Sequence, residues 1–504
     1  MSIDLLKKGI SNIVKEFKLA TSFPREVEAE ARAFPGPLTA QDWEGRVDLR
    51  AEVVVTIDGE NARDFDDAVS VSETRDGFVL KVSIADVSHF VKPGTAVDRE
   101  AYRRATSTYF PDRVLPMLPE RLSNDLCSLV PHEERRTYTA EMAFDVQGRR
   151  TAIRFYRSVI KSRARLTYTE VRKILDDRDE AARGRHKSIL EDLERMGVLA
   201  ERIQGRRRAR GSLDFDLPES SIELDLAQGR IDKIVKAERN KAHRLIEEFM
   251  IAANEAVAEF IAESRLPSVY RVHQEPDPER VRDFAVLLHH LGYGLRLGRR
   301  VQPGALAAVI EAVRGKPEEK LINTVLLRTM ARAVYDTKNV GHFGLASECY
   351  THFTSPIRRY PDLMVHRILT QALRGGRPGK HKESGGKRLQ EMAVHCSERE
   401  RNSQKAEWAS RDLAAALFLK EKVGQTFDGI ISGVTKFGLF VELIPFFVEG
   451  LVSIKNLRDD AYTFHEKAHA LVGRRKKKKY QIGMPVTVTV QGVNLEKRWV
   501  DFGL

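Results

Sequence analysis

No apolar run in this sequence is long enough to cross a membrane, and the opening MSIDLLKKGI lacks the extended apolar core of a secretory signal. Cysteine is scarce. The three that exist, Cys127, Cys349 and Cys396, lie far apart and form no CxxC pair, so buried free thiols in a reducing cytoplasm are expected. There is no internal repeat, which sets repeat architectures aside. Excess negative charge is missing too: Lys and Arg number 84 against 72 Asp and Glu, for a net charge of +12. Such a balance favours a polyanionic partner, nucleic acid ahead of an anionic membrane surface. What remains, 504 residues that are 42% hydrophobic and 31% charged, suits a soluble globular chain of more than one domain.

Against that basic background stands one acidic knot. Residues 53–69 read VVVTIDGENARDFDDAV, a β-branched run that delivers Asp58, Asp64, Asp66 and Asp67. Four carboxylates so close repel one another, and a divalent cation removes the penalty. Hard oxygen ligands suit Mg²⁺ or Mn²⁺ better than Zn²⁺. The strand ending at Ile57 is expected to hold Asp58, and Gly59 to let the chain turn back. The Asp-x-Asp-x-Asp-Gly order of an EF-hand is absent, and a solvated acidic turn is the plain alternative.

In chain order, a helix is expected over Ile3–Leu19, then an acidic, Pro/Gly-rich lead-in to residue 47. Strands follow near Phe78–Ile84, Ala140–Phe144 and Ile153–Ile160, with an irregular Pro-rich stretch over 106–119 between the first two. The middle is helix-rich: 169–175, 189–208, 240–263, 278–291, 303–314 and 320–335, of which Asn240–Glu263 carries the clearest apolar stripe. Residues 374–388 read as a basic Gly-rich loop, followed by a polar helix from about Leu389 to Lys422. From Gly424, short strands at 426–434, 438–443, 450–453 and 485–493 point to a small β-barrel. The fold class is thus α+β, divided as 1–47, 48–422 and 423–504.

A second informative stretch, HFTSPIRRYPDLMVHR, spans His352–Arg367. Thr354-Ser355-Pro356 suggests a helix start that places Arg358 and Arg359 beside free N–H groups, with Pro361 breaking the segment. A guanidinium there can grip phosphate; an isolated Arg pair otherwise makes surface ion pairs. His352 and His366 have no partner at ligand spacing and are assigned to core hydrogen bonding. Tyr109 and Phe215 lie where core packing explains them poorly, which favours base stacking. In the barrel, Phe437 and Phe440 bracket a glycine, suggesting exposed rings. The run Arg474–Lys479, including Lys476 and Lys477, is a solvated basic loop able to capture phosphate.

TIDGENARDFDDAV, TSTYFPDRVLPMLPERLSNDLCSL, GHFGLASECYTHFTSPIRRYPDLMVHR and the closing barrel together resemble the ribonuclease II/ribonuclease R (RNB) exoribonucleases, in that family's order from Gly45 to Leu504. The barrel resembles an S1 domain of the OB type. The resemblance implies Mg²⁺-dependent, processive 3′→5′ hydrolysis of single-stranded and structured RNA to nucleoside 5′-monophosphates; a cytoplasmic protein, acting as a monomer on RNA with a 3′ overhang, is expected. It implies Asp58, Asp64, Asp66 and Asp67 as the acidic centre, with Asp58 and Asp67 foremost as metal ligands and Asp66 tied to cleavage. Arg358 falls where the family grips the scissile phosphate. Tyr109 and Phe215 fall where it clamps terminal bases; Glu407, Tyr168 and a glutamate of Glu247-Glu248, taken as Glu248, line the channel end. The family also carries cold-shock-type domains ahead of the catalytic region. Only the stretch before Val53 stands there in this sequence, which implies weaker RNA capture and altered duplex handling. The competing readings are a catalytically silent RNB-like RNA-binding protein and, more remotely, a DNA exonuclease.

Overall fold

The computed structural model describes residues 2–36, 38–215, 220–225, 230–236, 239–296, 298, 300–375, 382–466 and 469–504. Helix α1 (Ser2–Glu16) is followed by α2 (Arg25–Ala33), so part of the stretch read as a lead-in is itself helical. Strands β1 (Val47–Asp48), β2 (Val55–Asp58), β3 (Asp67–Thr74) and β4 (Gly77–Ala85) come next, then helices α3 (Val87–Phe90) and α4 (Ala96–Arg104). A two-strand ladder, β5 (Thr108–Tyr109) with β6 (Val114–Leu115), orders the Pro-rich stretch. The long antiparallel pair β7 (Glu134–Asp145) and β8 (Arg150–Lys161) and then β9 (Ala164–Thr167) complete a seven-stranded sheet of order β1-β8-β7-β4-β3-β2-β9. Its interior pairings are antiparallel, and both edges are closed by parallel pairs, β1 on β8 and β9 on β2.

Helices α5 (Tyr168–Leu175), α6 (Glu180–Arg185) and α7 (Leu190–Arg210) lead to the antiparallel pair β10 (Ser220–Asp225) and β11 (Arg230–Lys236). Helix α8 (Lys241–Glu263) follows, capped by Asn240, whose Oδ1 accepts from His243 N–H at 3.2 Å. Its stripe of Leu245, Phe249, Ala253, Val257 and Ile261 packs into one apolar cluster with Leu80, Tyr138 and Met142 of the sheet. Each fully buried Leu, Ile or Phe contributes roughly 1.5–3 kcal/mol, so packing rather than propensity fixes this helix. Beyond it lie β12 (Tyr270–Val272), α9 (Pro278–His290), α10 (Pro303–Val313), α11 (Glu319–Thr329) and β13 (Val334–Asp336). The helix expected to reach Tyr335 stops at Thr329, because Val334 and Tyr335 pair with β12 instead.

Helix α12 spans Tyr360–Leu373 and α13 spans Lys382–Lys420. The latter begins ahead of the expected Leu389 and runs through Gly385 and Gly386. Two glycines cost about 1 kcal/mol each, which an established helix can absorb. Residues 376–381 of the expected basic loop lie outside the described residues.

The last module is a closed barrel of β14 (Thr426–Thr435), β15 (Gly438–Leu443), β16 (Glu449–Ser453), β20 (Pro485–Asn494) and β21 (Trp499–Gly503). Between β16 and β20 a separate sheet of β17 (Tyr462–His465), β18 (Ala470–Gly473) and β19 (Lys479–Gln481) carries the basic run at its turn. There Asp460 Oδ2 accepts the backbone N–H groups of Arg475 (2.9 Å) and Lys476 (2.7 Å), so the backbone is pinned while Lys476 and Lys477 stay exposed. The barrel does not dangle. A single apolar cluster joins Ile431, Leu443 and Val490 to Leu413 and Leu417 of α13 and to Leu6 and Ile10 of α1. The three cysteines are free and buried, and no helix among the described residues is long and apolar enough to cross a membrane.

Candidate active site

Asp58 ends β2, and its parallel partner in β9 is Thr167, so the next residue, Tyr168, opens α5 beside it. Asp67 opens β3, and the loop between them is stitched to the body of the protein. Phe65 N–H donates to Ser128 Oγ (3.0 Å), which itself donates to the Arg63 carbonyl (2.6 Å). Gly59 is not in the left-handed region, so the turn does not depend on glycine. Asp66 is held from two sides: its carbonyl accepts from Ala85 N–H (2.9 Å) and its Oδ1 from Ile357 N–H (2.8 Å). That second bond locks the acidic loop to the segment carrying Arg358, across almost the whole length of the catalytic region.

The four aspartates line one cavity of about 240 Å³, together with Tyr168, Glu247, His352 and Arg358. Burial, reinforced by Asp67 and Asp64, pushes the Asp58 carboxyl up to about 8. Burial also lifts Asp67 to about 6 against the pull of Arg358 and Arg359, and holds Asp66 well above the usual carboxylate range. The cluster is short of positive charge. Asp58 Oδ2 and Asp66 Oδ2 are buried and, among the described residues, have no hydrogen-bond partner, which is the state of oxygens suited to a cation. Among the described residues, no three His, Cys, Asp or Glu side chains already converge at ligand spacing. The donor set consists of hard oxygens, which suit a divalent cation.

Arg358 is the more exposed and less committed guanidinium of the pair. Its side chain is 43% exposed, its Nη2 donates to Ser355 Oγ (3.0 Å) and its Nε stands 3.7 Å from Asp66 Oδ2. Arg359 also borders the cavity but is committed to Asp362 through two hydrogen bonds of 2.8 and 2.9 Å. The expected geometry of this segment is corrected in one respect. Pro361 does not break a helix but sits in the first turn of α12, and Thr354 and Ser355 precede that helix without starting it. Ser355 N–H donates instead to Asp362 Oδ1 (2.8 Å), which fixes the turn that presents Arg358.

Tyr109, 39% exposed on β5, reaches over the acidic cluster: its hydroxyl donates to Asp64 Oδ2 (3.2 Å) and its N–H to Glu407 Oε1 of α13 (2.8 Å). Tyr168 lies on the cavity wall with its ring stacked on His243 (centroids 3.9 Å apart, 19° between planes). The Glu248 assignment is corrected. Successive helical residues point about 100° apart, and Glu247 faces the cavity. Glu248 is buried on the other side under Arg207, with Nη2 to Oε1 at 2.6 Å. Phe215 does not border the cavity; it is half-buried against the cluster shared with the barrel. Phe437 (50% exposed) and Phe440 pack edge to face at 6.1 Å. Gly438 between them has φ +155°, and a Cβ there would meet the Val452 carbonyl oxygen at 2.2 Å. These rings border a second cavity, of about 590 Å³, with Arg411, Arg498 and Trp499. Trp499, 58% exposed, escaped the sequence reading; an aromatic directly after Lys497-Arg498 in a barrel strand was the available signal.

Residues 46–375 match the RNB domain family and residues 420–504 the S1 RNA binding domain family. The chain is 44% identical over 497 residues to ribonuclease R of Aquifex aeolicus, covering 98% of this chain and 70% of that protein. It is 41% identical over 493 residues to ribonuclease R of Escherichia coli, covering 96% of this chain and 60% of that protein. The apo structure of Mycoplasma genitalium RNase R superimposes with a TM-score of 0.91 at 30% identity, covering 99% of this chain and 78% of that one. The same enzyme bound to ribose-methylated single-stranded RNA gives the same score and coverage. With both modules matched, and the acidic loop and Arg358 gathered in one cavity, the chain belongs to the RNB family of exoribonucleases, on its ribonuclease R branch.

Proposed function

We propose that this chain hydrolyses RNA processively from the 3′ end, releasing nucleoside 5′-monophosphates, with Mg²⁺ (or Mn²⁺) bound at the aspartate cluster. The observation that carries the reading is the meeting, in one cavity, of carboxylates starved of positive charge and one exposed guanidinium. When bound, a divalent cation offsets the carboxylate repulsion and polarises the phosphoryl group and the attacking water. Asp58 and Asp67 would hold it from the ends of two paired strands, with Asp64 on the loop between them. Asp66, tethered by Oδ1 to Ile357 N–H, has its Oδ2 left without a hydrogen bond among the described residues, 3.7 Å from Arg358 Nε, to orient water and receive its proton. Arg358 neutralises charge developing on the phosphate. Tyr109 and Tyr168 supply ring faces for the terminal bases, while Glu407 fixes the backbone of Tyr109. The barrel rings Phe437 and Phe440 and the lysines at 476 and 477 capture RNA further out. Two structures of one relative, the Mycoplasma genitalium enzyme, hold single-stranded and double-stranded RNA, which supports RNA as the polyanion that the +12 charge attracts. The chain is proposed to act as a monomer in the cytoplasm, in keeping with its buried free thiols.

The test is incubation of 3′-labelled and 5′-labelled single-stranded RNA with the protein in Mg²⁺ or in EDTA. Mononucleotide release from the 3′ end, abolished by EDTA, is expected. RNA binding without release would overturn the enzyme in favour of a silent RNA-binding scaffold. Equal digestion of an oligonucleotide with deoxyribose at its 3′ end would move the substrate class to DNA as well.

A further inference from the structure

His366 meets the sequence reading of both histidines as core hydrogen-bonding residues: it is fully buried and its Nε2 bonds the Phe353 carbonyl at 2.8 Å. His352 does not. Its ring is half-buried and borders the aspartate cavity. Only its Nδ1 is engaged, by the hydroxyl of Tyr335 at 2.8 Å. Tyr335 is buried, and that bond is the single partner of its hydroxyl among the described residues. A buried phenol has one proton to place, so it donates to Nδ1, and the imidazole must carry its own proton on Nε2. Among the described residues nothing bonds that Nε2.

The ring is also held in position. Thr351 Oγ1 donates to the Val269 carbonyl (2.6 Å) on one side, and Phe353 N–H donates to Asn254 Oδ1 (2.8 Å) on the other. The edges of Tyr335 and Tyr350 pack against it at 5.5 and 5.8 Å. Burial and the nearby Arg359 and Arg271 hold its pKa well below the usual imidazole range, which keeps it neutral.

We infer that His352 is an RNA-specificity residue whose Nε2–H donates a hydrogen bond to the 2′-hydroxyl of a nucleotide held in the active cavity. The phosphate already has a charged donor in Arg358. A neutral donor in a cavity that also holds an acceptor, the Glu247 carboxylate, whose Oε2 takes Arg239 at 2.6 Å, suits a group that both accepts and donates. A ribose hydroxyl is such a group; a phosphate, which only accepts, is not. Tyr335 is the positioning residue that selects the tautomer.

This inference rests on the exoribonuclease reading, and the experiment separates the two. Initial cleavage rates at subsaturating RNA are compared for wild type, H352L, H352Q and Y335F, on oligoribonucleotides and on the same sequences with 2′-deoxyribose at the 3′-terminal nucleotides. On RNA, H352L should lose about 10-fold in kcat/KM, the worth of one hydrogen bond. H352Q, which keeps a donor at similar reach, should recover part of it, and Y335F should lose less than H352L. On the deoxy-terminated substrate, wild type and H352L should be equal, because the acceptor is gone. A loss in H352L that is the same on both substrates, or no loss on RNA, overturns the assignment. Should H352L unfold, Y335F carries the same comparison with His352 in place. An inactive wild type would instead strike the exoribonuclease reading.

Discussion

Asp66 shows how one side chain can be buried, anchored and still available. Its Oδ1 is spent on Ile357 N–H, while Oδ2 has no hydrogen bond among the described residues and stands 3.7 Å from Arg358 Nε. Asp66→Asn keeps the size of the side chain and can keep the Ile357 bond, but it loses the basic oxygen. The expected outcome is a fall in cleavage of about 10²-fold or more with RNA affinity little changed, checked by turnover and filter binding. Loss of binding in step with cleavage would contradict the separation of capture from chemistry. A second prediction concerns pH. Asp58 and Asp67 keep their protons to a higher pH in the folded chain than in the unfolded one, whose carboxyl value is 3.8. Their contribution is fully present below that value and is lost as pH rises through about 6 and then about 8. The melting temperature of the protein in EDTA should therefore fall across that window, and Asp58→Asn should flatten the fall. A decline as steep in the variant as in the wild type would place its origin elsewhere.

At the scale of elements, α8 serves two faces with adjacent residues. Glu247 borders the active cavity, where Arg239 holds it at 2.6 Å, and Glu248 is sealed against Arg207. The α7–α8 contact thus contains a buried ion pair whose net contribution is small but whose breakage is costly. Glu248→Ala strands the Arg207 guanidinium and should destabilise the chain by about 3–5 kcal/mol, read by denaturant unfolding. A simultaneous Arg207→Met, Glu248→Leu replacement should recover much of that loss. If Glu248→Ala instead leaves stability intact but impairs turnover, Glu248 acts on RNA after all. The β5–β6 ladder is a second positioning element. It is only two pairs long, yet it sets Tyr109 between Asp64 and Glu407, which are brought together from opposite ends of the chain.

For the whole molecule, the barrel is part of the folded body as well as an RNA surface. Leu413 and Leu417 of α13 are covered by the same apolar cluster that includes the barrel, and Lys320 pairs with Glu442 (2.9 Å) and Arg498 with Glu16 (3.0 Å) across the junction. A chain ending at residue 422 should therefore lose thermal stability as well as RNA affinity. Circular dichroism melting and salt-dependent binding separate the two effects, since only binding should change its salt slope. A truncated chain with an unchanged melting temperature would show the barrel to be an independent appendage.

The acidic loop, the Arg358 segment, the apolar stripe of α8 and the barrel strands were all legible in the sequence, because short-range pattern dictates them: β-branched runs, helical period, and clustered like charge. The same local signal could not tell Glu247 from Glu248, since a rotation of one residue about a helix is decided by what lies on each side. Nor could it show that Arg359 is spent on Asp362 while Arg358, bonded to Ser355, stays partly exposed, or that Pro361 begins α12 rather than breaking a helix. His352 looked like a core histidine until the fold set it at the border of the cavity, with Tyr335 on its Nδ1 and, among the described residues, nothing bonded to its Nε2. Sequence determined which chemical groups the chain owns and which elements carry them. Tertiary structure alone decided which of those groups are already satisfied by a partner and which are left to bind something else, because satisfaction depends on neighbours hundreds of positions away.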